Sequence, residues 1–169
     1  MDDQRFWELV EAARDASNDN IDARPGHLEE LLMAHAPDEV QDFQDTYDRM
    51  LRRANRWDLR GAAFVMNGGC SDTGFRHFRD WLISEGRAAF DAALADPESL
   101  ADLPRWDGFE LDDFGYVASD VYQQLTGNDL EPALIDESEA PKGDPWNESD
   151  LPTMYPRLAA RYGESAYDG

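Results

Sequence analysis

The stretch that decides the fold is residues 57–94, which read WDLRGAAFVMNGGCSDTGFRHFRDWLISEGRAAFDAAL. Apolar side chains recur in it every three or four residues, which is the spacing of an amphipathic helix. The turn Asn67-Gly68-Gly69-Cys70-Ser71-Asp72 interrupts this spacing, because a Gly pair ends a helix while Ser or Asp begins one. The stretch therefore predicts two helices joined by a tight connector, with a further break at Gly86.

Helical spacing continues through most of the remaining chain, and no alternating pattern typical of a strand competes with it. The apolar positions predict further helices at about 6–17, 25–32, 37–54, 114–126 and 151–162. Residues 128–147 are acidic and contain three prolines, so we expect a long surface loop there, and we expect residues 164–169 to form a disordered tail. The predicted fold is one all-α domain over 1–169, an irregular bundle of about seven to nine helices.

The charge balance is strongly acidic, with 37 Asp and Glu residues against 15 Lys and Arg residues and a formal net charge of −22. Such a field repels nucleic acid and anionic membranes, and it attracts a basic protein partner. The same composition is also typical of general solubility or of adaptation to a salty cytoplasm. The sequence makes no prediction about the oligomeric state.

Compartment signals are few and agree with one another. The single cysteine, Cys70, cannot form an internal disulfide, and the start MDDQRFWELV has no apolar core of signal-peptide length. The longest run of small or apolar residues, 61–66, is too short to span a bilayer. We expect a cytoplasmic protein without a membrane segment.

Cys70 is the first candidate for catalysis, because a thiol before a helix start is exposed to unpaired backbone N–H groups that favour a thiolate. His77 is its candidate base, although seven residues of helix separate two groups by about 10 Å along the axis. Asp72 and the overall negative field oppose ionisation of the thiol. The alternative is that Cys70 is a small buried packing residue.

Two further features of the connector have both a functional and a structural interpretation. Asp58 and Asp72 are candidates for an acid and base pair or for a divalent-ion site, and alternatively each caps the helix that follows it. The N–H groups of Asn67, Gly68 and Gly69 are candidate donors to an anion, and alternatively the Gly pair is a helix C-cap.

Tryptophans supply the candidate binding anchors. Trp106 and Trp146 each lie among Asp, Gly and Pro residues, which favours partial exposure, whereas most tryptophans at helical spacing are core residues. No cysteine or third histidine completes a recognisable zinc set with His27 and His35. We predict no metal site and no cofactor.

The chain resembles a bacterial family known as domain of unknown function 4240. The resemblance rests on Arg5-Phe6-Trp7-Glu8-Leu9, Trp57-Asp58-Leu59, Gly61-Ala62-Ala63, the connector 67–72, Gly74-Phe75, Trp81-Leu82-Ile83, Gly86-Arg87, Pro145-Trp146 and Asp150-Leu151-Pro152. Arg60 stands where the family pattern has an aromatic residue, and Thr73 where it has a second acidic one. The resemblance supports the fold and implies no activity, cofactor or catalytic residues.

The sequence favours a non-catalytic interaction protein, of an inhibitor or immunity type, that docks a basic partner through its acidic surface. The alternative is a small enzyme with one pocket that gathers the candidate residues around the connector: Trp57, Asp58, Asn67, Cys70, Asp72 and His77.

Overall fold

A computed structural model describes residues 1–18, 20–104, 112–132 and 139–167, with side chains for all of these except 112 and 163–167. Within these ranges the chain forms nine α-helices and three short 3-10 turns, and it forms no strand. The helices are α1 (Asp3–Ser17), α2 (Arg24–Met33), α3 (Pro37–Arg53), α4 (Trp57–Asn67), α5 (Asp72–Ser84), α6 (Arg87–Ala95), α7 (Asp112–Thr126), α8 (Leu151–Met154) and α9 (Pro156–Tyr167). The predicted all-α multi-helix bundle is confirmed.

Helix boundaries follow from local residue chemistry. α3 begins with Pro37, whose fixed φ suits the first helical position, and Asp38 and Glu39 lie in the first turn where the helix dipole favours negative charge. α4 ends at Gly68, which adopts the left-handed conformation at φ 73° and ψ 22° that glycine tolerates without strain. Gly86, at φ 103°, separates α5 from α6 as predicted.

The last predicted helix, 151–162, is in fact two helices. Pro156 has no N–H to donate, and its ring disfavours a helical conformation at the preceding residue. Tyr155 accordingly adopts φ −126° and ψ 65°, which ends α8 and turns the chain into α9. α9 continues to Tyr167, while Asp168 and Gly169 lie outside the described residues; the disordered tail stays a prediction.

The core forms where α1, α2, α3, α5 and α7 pack together, and α4 packs against α9 beside them. Aromatic rings join α1 to its neighbours: the ring centroids of Phe6 and Phe43, on α3, are 4.8 Å apart, and those of Trp7 and Phe90, on α6, are 5.2 Å apart. None of the described helices combines the length and the apolar composition that crossing a membrane requires.

The segment 139–146 crosses the start of α4 and is held there by backbone hydrogen bonds. The N–H of Lys142 donates to the carbonyl of Asn55 at 2.9 Å, and the N–H of Trp57 donates to the carbonyl of Lys142 at 2.9 Å. This segment belongs to the C-terminal part of the predicted acidic loop 128–147, of which residues 133–138 lie outside the described residues. It brings Trp146 onto α4.

Candidate functional site

The connector between α4 and α5 is built from helix caps. Ser71, not Asp72, caps α5, because its Oγ accepts a hydrogen bond from the N–H of Gly74 at 3.0 Å. The prediction that Asp72 is the N-cap was therefore wrong by one residue, since Ser and Asp are both good caps and the chain uses the earlier one. The Asp72 carboxylate is 91% exposed and accepts instead from Arg60 Nη1 at 2.8 Å.

Asp58 also differs from its predicted capping position. α4 starts at Trp57, two residues earlier than a cap at Asp58 would place it, so the residue before the helix is Arg56, which makes no side-chain cap. Asp58 lies within the first turn, where its Oδ1 accepts from the N–H of Leu59 at 2.8 Å and its Oδ2 from Arg56 Nη2 at 2.6 Å. The carboxylate still satisfies a first-turn donor, but from inside the helix.

The glycine N–H groups of the connector already have acceptors. Those of Gly68 and Gly69 both point to the carbonyl of Phe64, the latter at 3.1 Å. The side-chain amide of Asn67 lies 3.4 Å from the carbonyl of Gly69. This geometry is that of a helix C-cap, which was the structural alternative to an anion site.

The Cys70 thiol is half-buried, packs against the core, and has its Sγ 3.7 Å from the carbonyl oxygen of Ser71. Burial raises the pKa of the Cys70 thiol to about 11, and the nearby Arg60 and Arg79 guanidinium groups offset only part of that rise. The thiol is therefore protonated at neutral pH, the opposite of what a catalytic nucleophile needs.

The candidate residues of the connector do not line one common cleft. Asp72 and His77 line a cavity of about 370 Å³ beside α5, together with Thr73, Arg76, Arg79, Asp80 and Tyr116. Asp58 lines a different cavity, of about 330 Å³, with Arg56, Lys142, Gly143, Asp144, Trp146 and Met154. Trp57, Asn67 and Cys70 line neither of these two cavities.

Trp146 is half-buried against α4. Its indole N–H donates to the carbonyl of Trp57 at 2.8 Å, and its ring makes edge contacts with Trp57 and Phe64 at centroid distances of 5.8 and 5.4 Å. A Cβ at Gly61 would lie 2.9 Å from the Trp146 Nε1, so the ring needs a glycine beneath it. The other predicted anchor, Trp106, lies outside the described residues.

The floor of the 370 Å³ cavity holds a buried carboxylate that was not among the residues predicted from the sequence. Asp80 is 1% exposed, accepts from the Tyr47 hydroxyl at 2.5 Å, and lies 3.3 Å from Arg76 Nε. Burial raises the pKa of Asp80 to about 6, against the opposing effects of Arg76, Tyr47 and Arg79. The i,i+4 spacing of Arg76 and Asp80 was the one sequence signal for this pair.

Helix α7 approaches this carboxylate at a glycine. A Cβ at Gly115 would lie 3.0 Å from Asp80 Oδ1 and 3.1 Å from Arg76 Nη2. The absence of a side chain lets α7 close over the Asp80–Arg76 pair, which explains a glycine inside an otherwise regular apolar stripe. We call the cavity between α5 and α7 the α5–α7 cleft.

Tyr116 stands at the mouth of the α5–α7 cleft and keeps 57% of its surface exposed. Asp113 and Asp120 are exposed three residues before and four residues after it, so the three side chains share one face of α7. Tyr116 was not predicted from the sequence because it lies between the apolar positions of the stripe, where a tyrosine is unremarkable.

Most described arginines are neutralised by carboxylates of the same chain. Each of the following has a carboxylate oxygen within 4.0 Å: Arg5, Arg14, Arg24, Arg49, Arg52, Arg53, Arg56, Arg60, Arg76, Arg87 and Arg157. Arg79 donates to the carbonyl of Leu51 at 2.9 Å and lies over the Phe75 ring. The excess charge is therefore displayed as surface carboxylate.

No group of three or more described His, Cys, Asp or Glu side chains is placed to hold a metal ion.

Comparison with known proteins identifies the family and goes no further. No curated protein and no solved structure matches the chain. The sequence model of the family described as "Protein of unknown function (DUF4240)" matches residues 1–124, from before α1 to near the end of α7. The matched part is well over half of the chain, which confirms the resemblance seen in the sequence. This protein therefore belongs to the DUF4240 family.

Proposed function

We propose that this protein is a non-catalytic binding protein whose acidic surface docks a basic protein partner. The observation that carries the proposal is the internal pairing of the arginines, which leaves a formal net charge of −22 to be displayed outward. Charge complementarity of this kind accelerates association with a basic partner and suppresses acidic competitors. An inhibitor or immunity-type protein that covers the basic cleft of a nucleic-acid enzyme is the specific form we favour.

The chemistry of the connector supports a binding protein over a thiol enzyme. The Cys70 pKa of about 11 keeps the thiol protonated, and Cys70 and His77 do not line the same cavity. Asp58 and Asp72 likewise line different cavities, which argues against a catalytic pair. A site shared by Asp58 and Asp72 would require one cavity that both residues line.

A selection from a random peptide library tests the proposal even though the partner is unidentified. The folded chain is immobilised and peptides are selected at 50 mM salt, after depletion on the heat-unfolded chain, which has the same formal charge. We expect the selected peptides to be rich in Arg and Lys and to bind saturably, with weaker affinity at 300 mM salt. Selected peptides that are neutral or acidic, or an empty pool after depletion, would contradict it.

An enzyme is the second candidate, and the observation that favours it is Asp80. A carboxyl group with a pKa of about 6 beside His77 in a cleft is a typical setting for a general acid or base. Against it, Asp80 is 1% exposed and already bonded to Tyr47 and Arg76. Screening a metabolite library by protein-observed NMR tests it: an enzyme requires a ligand that shifts the His77 signals, and a blank screen leaves binding as the function.

A further inference from the structure

The two faces of helix α7 have opposite character. Phe114, Val117, Ala118 and Val121 are buried, and they pack toward α2, α3 and α5. The other face presents Asp113, Tyr116, Asp120 and Gln123 to solvent. Within the described ranges, no element covers this second face, which we call the α7 outer face.

Tyr116 is the most exposed of the large hydrophobic side chains that the described part of the chain leaves uncovered, at 57% against 48% for Met154, 39% for Met33 and 36% for Leu125. An exposed tyrosine has a large apolar ring and a hydroxyl, and tyrosine is among the residues that dominate binding energy at protein interfaces. Its position at the mouth of the α5–α7 cleft gives a partner both a flat ring and a recess.

The charges around Tyr116 are arranged with carboxylates outside and cations inside. Asp113 and Asp120 flank the ring on α7, and the 91% exposed Asp72 lies across the cleft. The two described arginines that line the cleft are engaged with the protein itself, Arg76 with the buried Asp80 and Arg79 with the Leu51 carbonyl and the Phe75 ring. Arg60 does not line the cleft and pairs with Asp72, so among the described residues Asp113 and Asp120 supply the unpaired negative charge beside the ring. The rim that an approaching partner meets first is therefore negative.

We propose that the α7 outer face and the mouth of the α5–α7 cleft form the docking surface, and that the occupant is an arginine-bearing segment of a partner protein. This inference deepens the proposed function and rests on it. A guanidinium group stacks on an aromatic ring and pairs with a carboxylate in the same plane, which an ammonium group does less well. The cavity of about 370 Å³ is at the small end of the range for ligand pockets, roughly 300–1,000 Å³, which suits a side chain.

A labelled hexa-arginine peptide tests this surface, with hexa-lysine as a parallel probe. Fluorescence anisotropy at 50 and 300 mM salt measures affinity, and amide chemical shifts locate the contact. Tyr116→Ala and the double variant Asp113→Asn/Asp120→Asn should each weaken hexa-arginine binding about fivefold or more. The matched controls, Met154→Ala and the double variant Glu148→Gln/Asp150→Asn, remove an exposed apolar side chain and two exposed charges elsewhere and should change it less than about twofold.

The outcomes separate the surface from the function. Shift changes on α5 and α7 that disappear in Tyr116→Ala support the proposal. Saturable hexa-arginine binding that is equal in all four variants, or shift changes elsewhere, would overturn this surface while leaving a basic partner in place. Equal affinity for hexa-lysine would overturn the preference for arginine. No saturable binding of either probe by the folded wild-type chain would overturn the proposed function as well.

Discussion

The hydroxyl of Tyr47 on α3 donates a 2.5 Å hydrogen bond to Asp80 on α5, and this pair joins the two helices in the core. Tyr47 and Asp80 are each 1% exposed. Burial and the adjacent carboxylate raise the pKa of Tyr47 above its ordinary value, so the hydroxyl keeps the proton that it donates.

Replacing Asp80 by Asn should change how stability depends on pH. The folded-state pKa of about 6 exceeds the ordinary value of 3.8, so the folded chain binds this proton more tightly than the unfolded chain does. The resulting stabilisation is complete below about pH 4 and is lost as pH rises through 6. Between pH 5 and 7.5, above the isoelectric point of about 4.2, the wild-type chain should lose about 1.4 kcal/mol relative to Asp80→Asn.

Urea unfolding of both chains at pH 5, 6 and 7.5 measures this difference. Asp113→Asn is the control, because it removes an exposed carboxylate from the adjacent helix and should give a curve parallel to wild type. If the Asp80→Asn and wild-type curves are also parallel, the carboxyl titrates at an ordinary pKa in the folded chain.

Replacing Gly61 by Ala should destabilise the fold because the added methyl group has no space. A Cβ there would stand 2.9 Å from both Trp146 Nε1 and the Tyr155 hydroxyl oxygen, each of which is already hydrogen-bonded to the start of α4. Overpacking of this kind costs about 1–3 kcal/mol. Gly26→Ala in α2 is the matched control: its Cβ would meet nothing within 4 Å, so we expect it to stabilise the chain by about 0.4–1 kcal/mol. Chemical denaturation that ranks the two variants the other way would contradict the close packing.

Breaking the buried ion pair between Arg24 and Glu85 should be costly. Their side chains are 6% and 9% exposed, and Arg24 Nη1 lies 3.2 Å from Glu85 Oε1. Glu85→Gln leaves a buried guanidinium without its counter-charge, which costs about 3–5 kcal/mol. Asp91→Asn removes an exposed partner of Arg87 and Arg53 and should cost less than about 1 kcal/mol. Thermal unfolding measures both, and equal shifts in Tm would show that burial adds nothing to the Arg24 pair.

Alkylation should report the state of Cys70. Because the thiolate is the reactive form and the pKa of the thiol is about 11, the rate with iodoacetamide should still be rising between pH 9 and 10. The same chain unfolded in urea supplies the control, with a rate that levels off near an ordinary cysteine pKa of about 8.5. A folded-state rate that reaches its plateau below pH 8 would restore Cys70 as a nucleophile.

The part of the chain that matches the family model should not fold alone. Leu151, Tyr155, Leu158 and Tyr162 are buried, and α9 packs along α4. A chain that stops at Gly127, after α7, leaves that surface of α4 in water, so we expect loss of cooperative unfolding by circular dichroism relative to the full chain. A sharp, reversible transition in the shortened chain would show that the C-terminal helices are dispensable.

Local signals predicted most of the fold. Pro37 at the start of α3 and the left-handed Gly68 at the end of α4 are decided by their own backbone chemistry, which is readable from neighbours in the chain. The split at Pro156 was equally local, but the continuous apolar spacing from Leu151 to Tyr162 concealed it. The predicted cap of α5 was displaced by one residue for a different reason, because Ser71 and Asp72 are both good caps and are adjacent.

The candidate site was predicted far less well, because it depends on contacts between distant residues. Nothing near Asp80 in the sequence indicates that Tyr47, 33 residues earlier, donates to it. Tyr116 is exposed because the neighbouring helices cover the opposite side of α7. The periodicity of the sequence indicates the covered apolar side, but it does not indicate which residue of the other side stands at a cleft. The composition around Trp146 indicated partial exposure, and the ring is half-buried, but nothing local indicated that it packs against Gly61 of α4.

The hydrogen bond from Trp146 to Trp57 spans 89 positions of sequence, and this span has a consequence for synthesis. A ribosome delivers α4 well before the residues that cover it, so the nascent chain presents an apolar helix to chaperones until Trp146 and α9 have emerged. A premature stop before Trp146 would leave the apolar surface of α4 permanently exposed, and such an incompletely folded chain is a substrate for proteases. We therefore expect a polypeptide that lacks this late segment to be degraded faster than the full chain.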